Sequence, residues 1–138
     1  MFKKIFTYSS CVLVLVFVWI ISSSAIFITY SGKSELYLRK NNSNSQILQV
    51  DSTQTPLYFY KYGEACEIQL QKFDINKTLN ELEAKVLWTE TTEFGESYYA
   101  YSPKLRYSCT VNGQKVNLQI FVGRNTAKLA SPIIFGSY

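Results

Sequence analysis

LRYSCTVNGQKVNLQIFVGRNTAKLASPI, residues 105–133, is the stretch that decides the fold. Asn112-Gly113 near its centre is a strong signal for a two-residue hairpin, because both turn positions need positive φ, which Asn and Gly tolerate. A turn there pairs Cys109 with Val116, Tyr107 with Leu118 and Leu105 with Ile120 on an apolar face. Thr110–Lys115, Ser108–Asn117 and Arg106–Gln119 then form the polar face. A slip of one residue would mix the two sets, so turn chemistry and side-chain pattern agree. A second turn at Gly123–Thr126 pairs Val122 with Ala127, Ile120 with Leu129 and Val116 with Ile133, keeping one face apolar across three strands.

Upstream, a turn at Phe94-Gly95 sets Trp88 opposite Tyr101 and Glu90 opposite Tyr99, though it also makes Glu93 face Glu96. Ser102-Pro103 ends one strand and begins the next. One helix is expected over about 75–84. Asp74 or Asn76 can cap it, Thr78 and Glu81 have capping-box spacing, and Ile75, Leu79 and Leu82 recur at helical period. Residues 57–62 and 65–72 are strand-like. In the second, Cys66, Ile68 and Leu70 alternate with Glu67, Gln69 and Gln71, so one side is buried and one wet. The expected architecture is α+β: an antiparallel meander of four to five strands with one helix packed on its apolar face, preceded by an N-terminal transmembrane or signal helix.

That N-terminal element sets the expected compartment. No charged residue occurs between Lys4 and Lys33, and Val12 to Ile21 are all apolar. Lys3 and Lys4, the apolar core and the small residues Ser23-Ser24-Ala25 match a secretory signal cleaved after Ala25. Cys11 to Tyr30 would equally serve as an uncleaved signal-anchor, since twenty residues at 1.5 Å rise span about 30 Å, one hydrocarbon core. Both readings keep Lys3 and Lys4 inside and export the remainder. Cys11 precedes the apolar core, so it is not a lipoprotein cysteine, which must follow that core. The expected organisation is 1–30 signal peptide or anchor, 31–45 a polar stalk, and 46–138 a single extracytoplasmic domain. The expected location is the cell membrane, single-pass with the domain outside, or secreted if cleaved.

Composition removes several functions. The 138 residues are 47% hydrophobic and 17% charged, which excludes a disordered tail. Beyond Lys4 the remaining charges nearly balance, which does not favour nucleic acid as a partner. Histidine is absent from the chain, so the common general base, the usual metal ligand and the familiar nucleophile triads each lose a member. No cofactor motif is present.

Leu82-Ala84-to-Glu90 (the run AKVLWTE), Tyr101-Ser102-Pro103, Lys115-Val116-Asn117-Leu118 and Pro132-Ile133-Ile134 resemble the C-terminal half of the YwmB-like family. These are exported proteins of Gram-positive bacteria, loosely labelled TATA-box-binding-like after a saddle-shaped α+β fold. The resemblance covers roughly residues 79–138 and implies export and that fold; it brings no catalytic residues. Family members are usually longer, and their tails end in an acidic residue before tyrosine, where this chain has Phe135-Gly136-Ser137-Tyr138.

Several constellations bear on chemistry. Glu90, Glu93 and Glu96 cluster at one turn and could act as acid and base in an envelope hydrolase, but a solvated loop explains them better, since such work needs partial burial to split the pKa values. They lack the spacing of a calcium loop. Ser102 and Lys104 have the spacing of a dyad, with a proline between them. Aromatic density is the stronger feature: Tyr58, Phe59, Tyr60 and Tyr62, then Tyr98, Tyr99 and Tyr101. Tyrosines on an exported surface can stack on sugar rings or bind peptide. With Tyr99 and Tyr101 on Trp88's inward face, the expected surface residues are Tyr58, Tyr60 and Tyr98, joined by Lys104, Arg106 and Lys115, which could meet an anionic cell-wall polymer. Cys66 and Cys109 are either bridged or two buried free thiols. The expected function is a membrane-tethered binding or scaffolding module of the cell envelope, partnered by the membrane and by cell-wall polymer or an envelope protein, rather than an enzyme.

Overall fold

The computed structural model describes residues 2–23, 33–39, 45–51 and 61–135, with side chains at 8–18, 33–37 and 62–135. The fold is α+β and its main sheet is antiparallel. Helix α1 spans Phe2–Ser23. Strands β1 (Lys33–Arg39), β2 (Ser45–Asp51) and β3 (Lys61–Gln69) follow, then a 3-10 turn at Leu70–Lys72 and helix α2 (Ile75–Glu81). Six strands complete the chain: β4 (Lys85–Thr92), β5 (Gly95–Tyr101), β6 (Cys109–Val111), β7 (Gln114–Val116), β8 (Leu118–Gly123) and β9 (Thr126–Ser131).

The seven-stranded sheet runs β2-β1-β3-β9-β8-β5-β4, and β6-β7 form a separate ribbon. This corrects the simple four- to five-stranded meander. The last strand, β9, docks on β3 with Cys66 opposite Leu129 and Ile68 opposite Ala127, so the final strand lies in mid-sheet rather than at an edge. It also corrects the stalk. Residues 33–39 form β1, pairing β3 with Ser34 opposite Cys66. The apolar residues of SELYL explain the difference: Leu36 and Tyr37 are fully buried, which a solvated linker would not permit.

The β8–β9 register is as expected, with Ile120 opposite Leu129 and Val122 opposite Ala127. The Asn112-Gly113 turn also stands, with Cys109 opposite Val116 and Asn112 and Gly113 at φ 50° and 75°. That hairpin stops after three pairs, however, so the expected pairs Tyr107–Leu118, Leu105–Ile120 and Arg106–Gln119 do not form. Asn117 is the reason. Its buried side chain accepts from Ser102 N–H at 2.7 Å and donates to the carbonyls of Ser102 (2.6 Å) and Leu105 (3.1 Å). The chain breaks there, and Leu118 opens a strand that pairs with Ala100 of β5 instead.

The upstream hairpin turns one residue earlier than expected, with Thr92 opposite Gly95, so Trp88 lies opposite Tyr99 and Glu90 opposite Ser97. Two forces favour this. It removes the Glu93–Glu96 opposition, and it places Gly95 where a Cβ would fall 2.2 Å from Val122 O. A bulge between Val86 and Trp88 absorbs Leu87.

Helix α2 begins where Asp74 accepts from Lys77 N–H at 3.1 Å. The Thr78–Glu81 capping box is not made; Thr78 lies inside the helix and bonds back to Asp74 O. Ile75, Leu79 and Leu82 press on Cys66, Ile68, Ala100, Leu118, Ile120 and Leu129, the principal core. Each fully buried Leu or Ile contributes about 1.5–3 kcal/mol. The opposite sheet face carries a second cluster, Tyr37, Ala65, Phe121, Ala130 and Ile134. It is covered by the C-terminal segment: Phe135 meets Tyr37 edge-on at 4.9 Å, and Ile134 N–H donates to Gln119 Oε1.

The described side chains of α1, Tyr8 to Val18, cover about 16 Å of helix axis. Among the described residues no helix is long and apolar enough to cross a membrane. Residues 24–30, the last part of the expected 1–30 signal or anchor, lie outside them.

Candidate binding surface

Alternation along β5 separates two sets of aromatics. Tyr98 and Ala100 share the helix-covered face, whereas Tyr99 lies on the other face opposite Trp88 and Tyr101 lies opposite Lys85. Trp88 and Tyr99 stack with ring centroids 4.6 Å apart and planes 13° from parallel. Glu90 fixes the pair: Trp88 Nε1 donates to its Oε1 at 3.3 Å and Tyr99 OH donates to its Oε2 at 3.1 Å. Both oxygens of one carboxylate therefore hold two half-exposed rings in one geometry. The inner face of the indole meets Tyr99 on β5. Trp88 itself stands on β4, the strand that ends the sheet.

Next along the same strands, Lys115 Nζ sits 5.6 Å from the Tyr101 ring centroid. Lys85, Leu87, Tyr101, Gln114 and Lys115 line an open hollow of about 440 Å³. A second hollow of about 510 Å³ lies at the far end of β3 and β9, lined by Gln69, Leu70, Gln71, Arg124, Asn125 and Thr126. It holds no aromatic residue, and the bond from Leu70 N–H to Asn125 O closes the strand end beside it.

The expected surface residues are distributed differently. Tyr58 and Tyr60 lie outside the described residues. Tyr98 is corrected: it packs against the principal core, and its hydroxyl donates to Glu96, which together with burial pushes the phenol pKa up. Lys104 is tied down, with Nζ 2.9 Å from Glu83 and 2.8 Å from Glu81 O at the end of α2. Arg106 is exposed outside any strand. Lys115 is the expected residue that joins the aromatic strip. Trp88, Tyr99 and Tyr101, expected on the inward face, lie on the face away from α2, and Lys85 and Glu90 join them there. A usable signal was the small Ala100 between two tyrosines, which marks the packed side.

The Glu90–Glu96 pair and the Ser102–Lys104 dyad are not assembled. Glu90 lies opposite Ser97 while Glu96 lies opposite Thr91, so these carboxylates occupy opposite faces of the hairpin and cannot flank one bond. Ser102 Oγ is buried and donates to Leu82 O, away from Lys104 Nζ. Cys66 and Cys109 are free thiols, the first buried in the main sheet and the second half-buried in the ribbon. Burial pushes the Cys66 thiol up to about 11 and raises that of Cys109 as well. Among the described residues no group of acidic or sulfur side chains could hold a metal ion. No family model, no curated protein and no solved structure matches the chain.

Proposed function

We propose that the chain is a membrane-tethered, extracytoplasmic binding or scaffolding module of the cell envelope, and that the outer face of β4–β5 is its binding surface. The observation that carries this reading is the Trp88–Tyr99 stack clamped by Glu90. A pair that only covered the sheet would not need both carboxylate oxygens, whereas a platform gains affinity when its rings are already ordered.

Tethering is supported by Val12 to Val18 of α1, each apolar and between 46% and 69% exposed, a helix surface apolar on every side that calls for an apolar surrounding. Cleavage after Ala25 would release the domain instead. The resemblance to the YwmB-like family belongs to the same proposal. Its spaced pieces meet in the fold through the Ser102–Asn117 and Gln119–Ile134 bonds, consistent with a shared structural role for those residues.

The test is sedimentation of the full chain, in lipid nanodiscs, with purified cell-wall sacculi. Trp88→Ala should weaken retention about tenfold, the equivalent of one lost contact of about 1.4 kcal/mol. Unchanged retention with an unchanged melting temperature overturns the proposal.

A further inference from the structure

Among the described residues, Lys77, Lys104 and Lys128 each pair with a glutamate. Lys85 and Lys115 have no such partner, and both line the hollow beside Tyr101. No acidic residue lines it; Leu87 and the Tyr101 ring supply apolar wall and Gln114 an amide. The contact with Tyr101 restrains Lys115, whose exposed ammonium carries three N–H donors, more than one ring face engages. Two strands fix the spacing of the cations: Lys85 by its register with Tyr101 on β5, and Lys115 by its register with Thr110 in the ribbon.

We infer that this hollow is an anion subsite, continuous with the Trp88–Tyr99 platform, that takes an acid group carried beside a carbon-rich ring or polyol. It rests on the binding-surface reading and deepens it: the platform takes the body of the polymer and the two lysines take its charge. The acid is a sugar carboxylate or a backbone phosphodiester, since both present oxygens to ammonium donors. Tyr101 and Leu87 favour a ligand with an apolar flank over a bare inorganic anion.

The experiment uses the full chain in nanodiscs of zwitterionic lipid, titrated with a galacturonic acid tetramer, a glycerol phosphate oligomer and the neutral tetramer of N-acetylglucosamine. At least one anionic probe should bind, and the paired variant Lys85→Gln and Lys115→Gln should bind it about tenfold more weakly, as expected when charge-assisted bonds are lost. Lys85→Arg with Lys115→Arg should restore affinity. The neutral tetramer should be indifferent to the lysine changes but weakened by Trp88→Ala. Which anionic probe responds identifies carboxylate or phosphate as the source. If neither anionic probe binds, or binding is unchanged in the glutamine variant, the subsite is refuted; a response of the neutral tetramer to Trp88→Ala would still leave the platform standing. Loss of anionic affinity that tracks only a fall in melting temperature would also refute it.

Discussion

Asn117→Ala tests the joint on which both the core and the candidate surface depend. Asn117 is 1% exposed and its amide serves three backbone groups: Ser102 N–H, Ser102 C=O and Leu105 C=O. Alanine leaves the first and last without that partner, while Ser102 C=O keeps a weaker bond from Leu105 N–H at 3.4 Å. Each buried polar group left unsatisfied costs about 1–3 kcal/mol, so the substitution should cost roughly 3 kcal/mol. For a domain of this size that is a large share of a total of about 5–15 kcal/mol, and it should lower Tm by roughly 15 °C. Guanidinium unfolding followed by tryptophan fluorescence measures it directly. The same change should free the 102–108 loop and the ribbon, so binding through Lys115 should weaken more than binding through Trp88. Asn117→Asp keeps the acceptor but turns a carboxylate toward two carbonyls, and should be no better than alanine. A loss under about 1 kcal/mol for Asn117→Ala would refute the role assigned to this amide.

Gly95→Ala and Gly113→Ala should separate steric from conformational cost. The first forces a Cβ to 2.2 Å from Val122 O and should lose several kcal/mol, whereas the second meets open space and should lose only about 1 kcal/mol from its positive φ. Ser131→Ala should stabilise by about 1 kcal/mol in chemical unfolding, because the Ser131 hydroxyl is buried with no hydrogen-bond partner among the described residues. Cys66 should resist alkylation at pH 8 until denaturant is added. Its thiol is raised from an ordinary 9.0 to about 11, so the unfolded chain loses the proton first and stability should fall as pH rises between those values; a flat profile from pH 8 to 11 would contradict this.

Local signals were legible where one turn or one cap settled the matter. Asn112-Gly113 and the Gly123–Thr126 turn could be read from neighbouring residues, and the helix cap narrowed to Asp74 or Asn76, of which Asp74 serves. What could not be read was non-local. Nothing near Leu105 announces that Asn117, twelve residues on, will spend its amide on that loop and stop a hairpin whose alternation continues. Nor does the polar stretch around Lys33 announce that Leu36 and Tyr37 will add a strand beyond β3. The candidate surface suffered most. Strand alternation says that Tyr98 and Tyr99 oppose one another, but which of the two is buried depends on where α2 and the C-terminal segment come to rest.

Those resting places also explain why the surface lies where it does. Helix α2 covers one face of the sheet. The C-terminal segment covers the other at β8, where Gln119 holds Ile134. Because the order ends β8-β5-β4, two strands extend past that cover on the same face. Trp88 and Tyr99 shield part of it, and a cross-strand pair is worth about 0.2–1 kcal/mol for that alone. Leucine and phenylalanine would shield it as well without exposing polar atoms to be satisfied. The combination of indole, phenol and a carboxylate bound to both adds order rather than apolar cover. Ordered, half-exposed rings on the outer strand pair, beside two lysines without a carboxylate partner, are what a stacking ligand with a charged group requires.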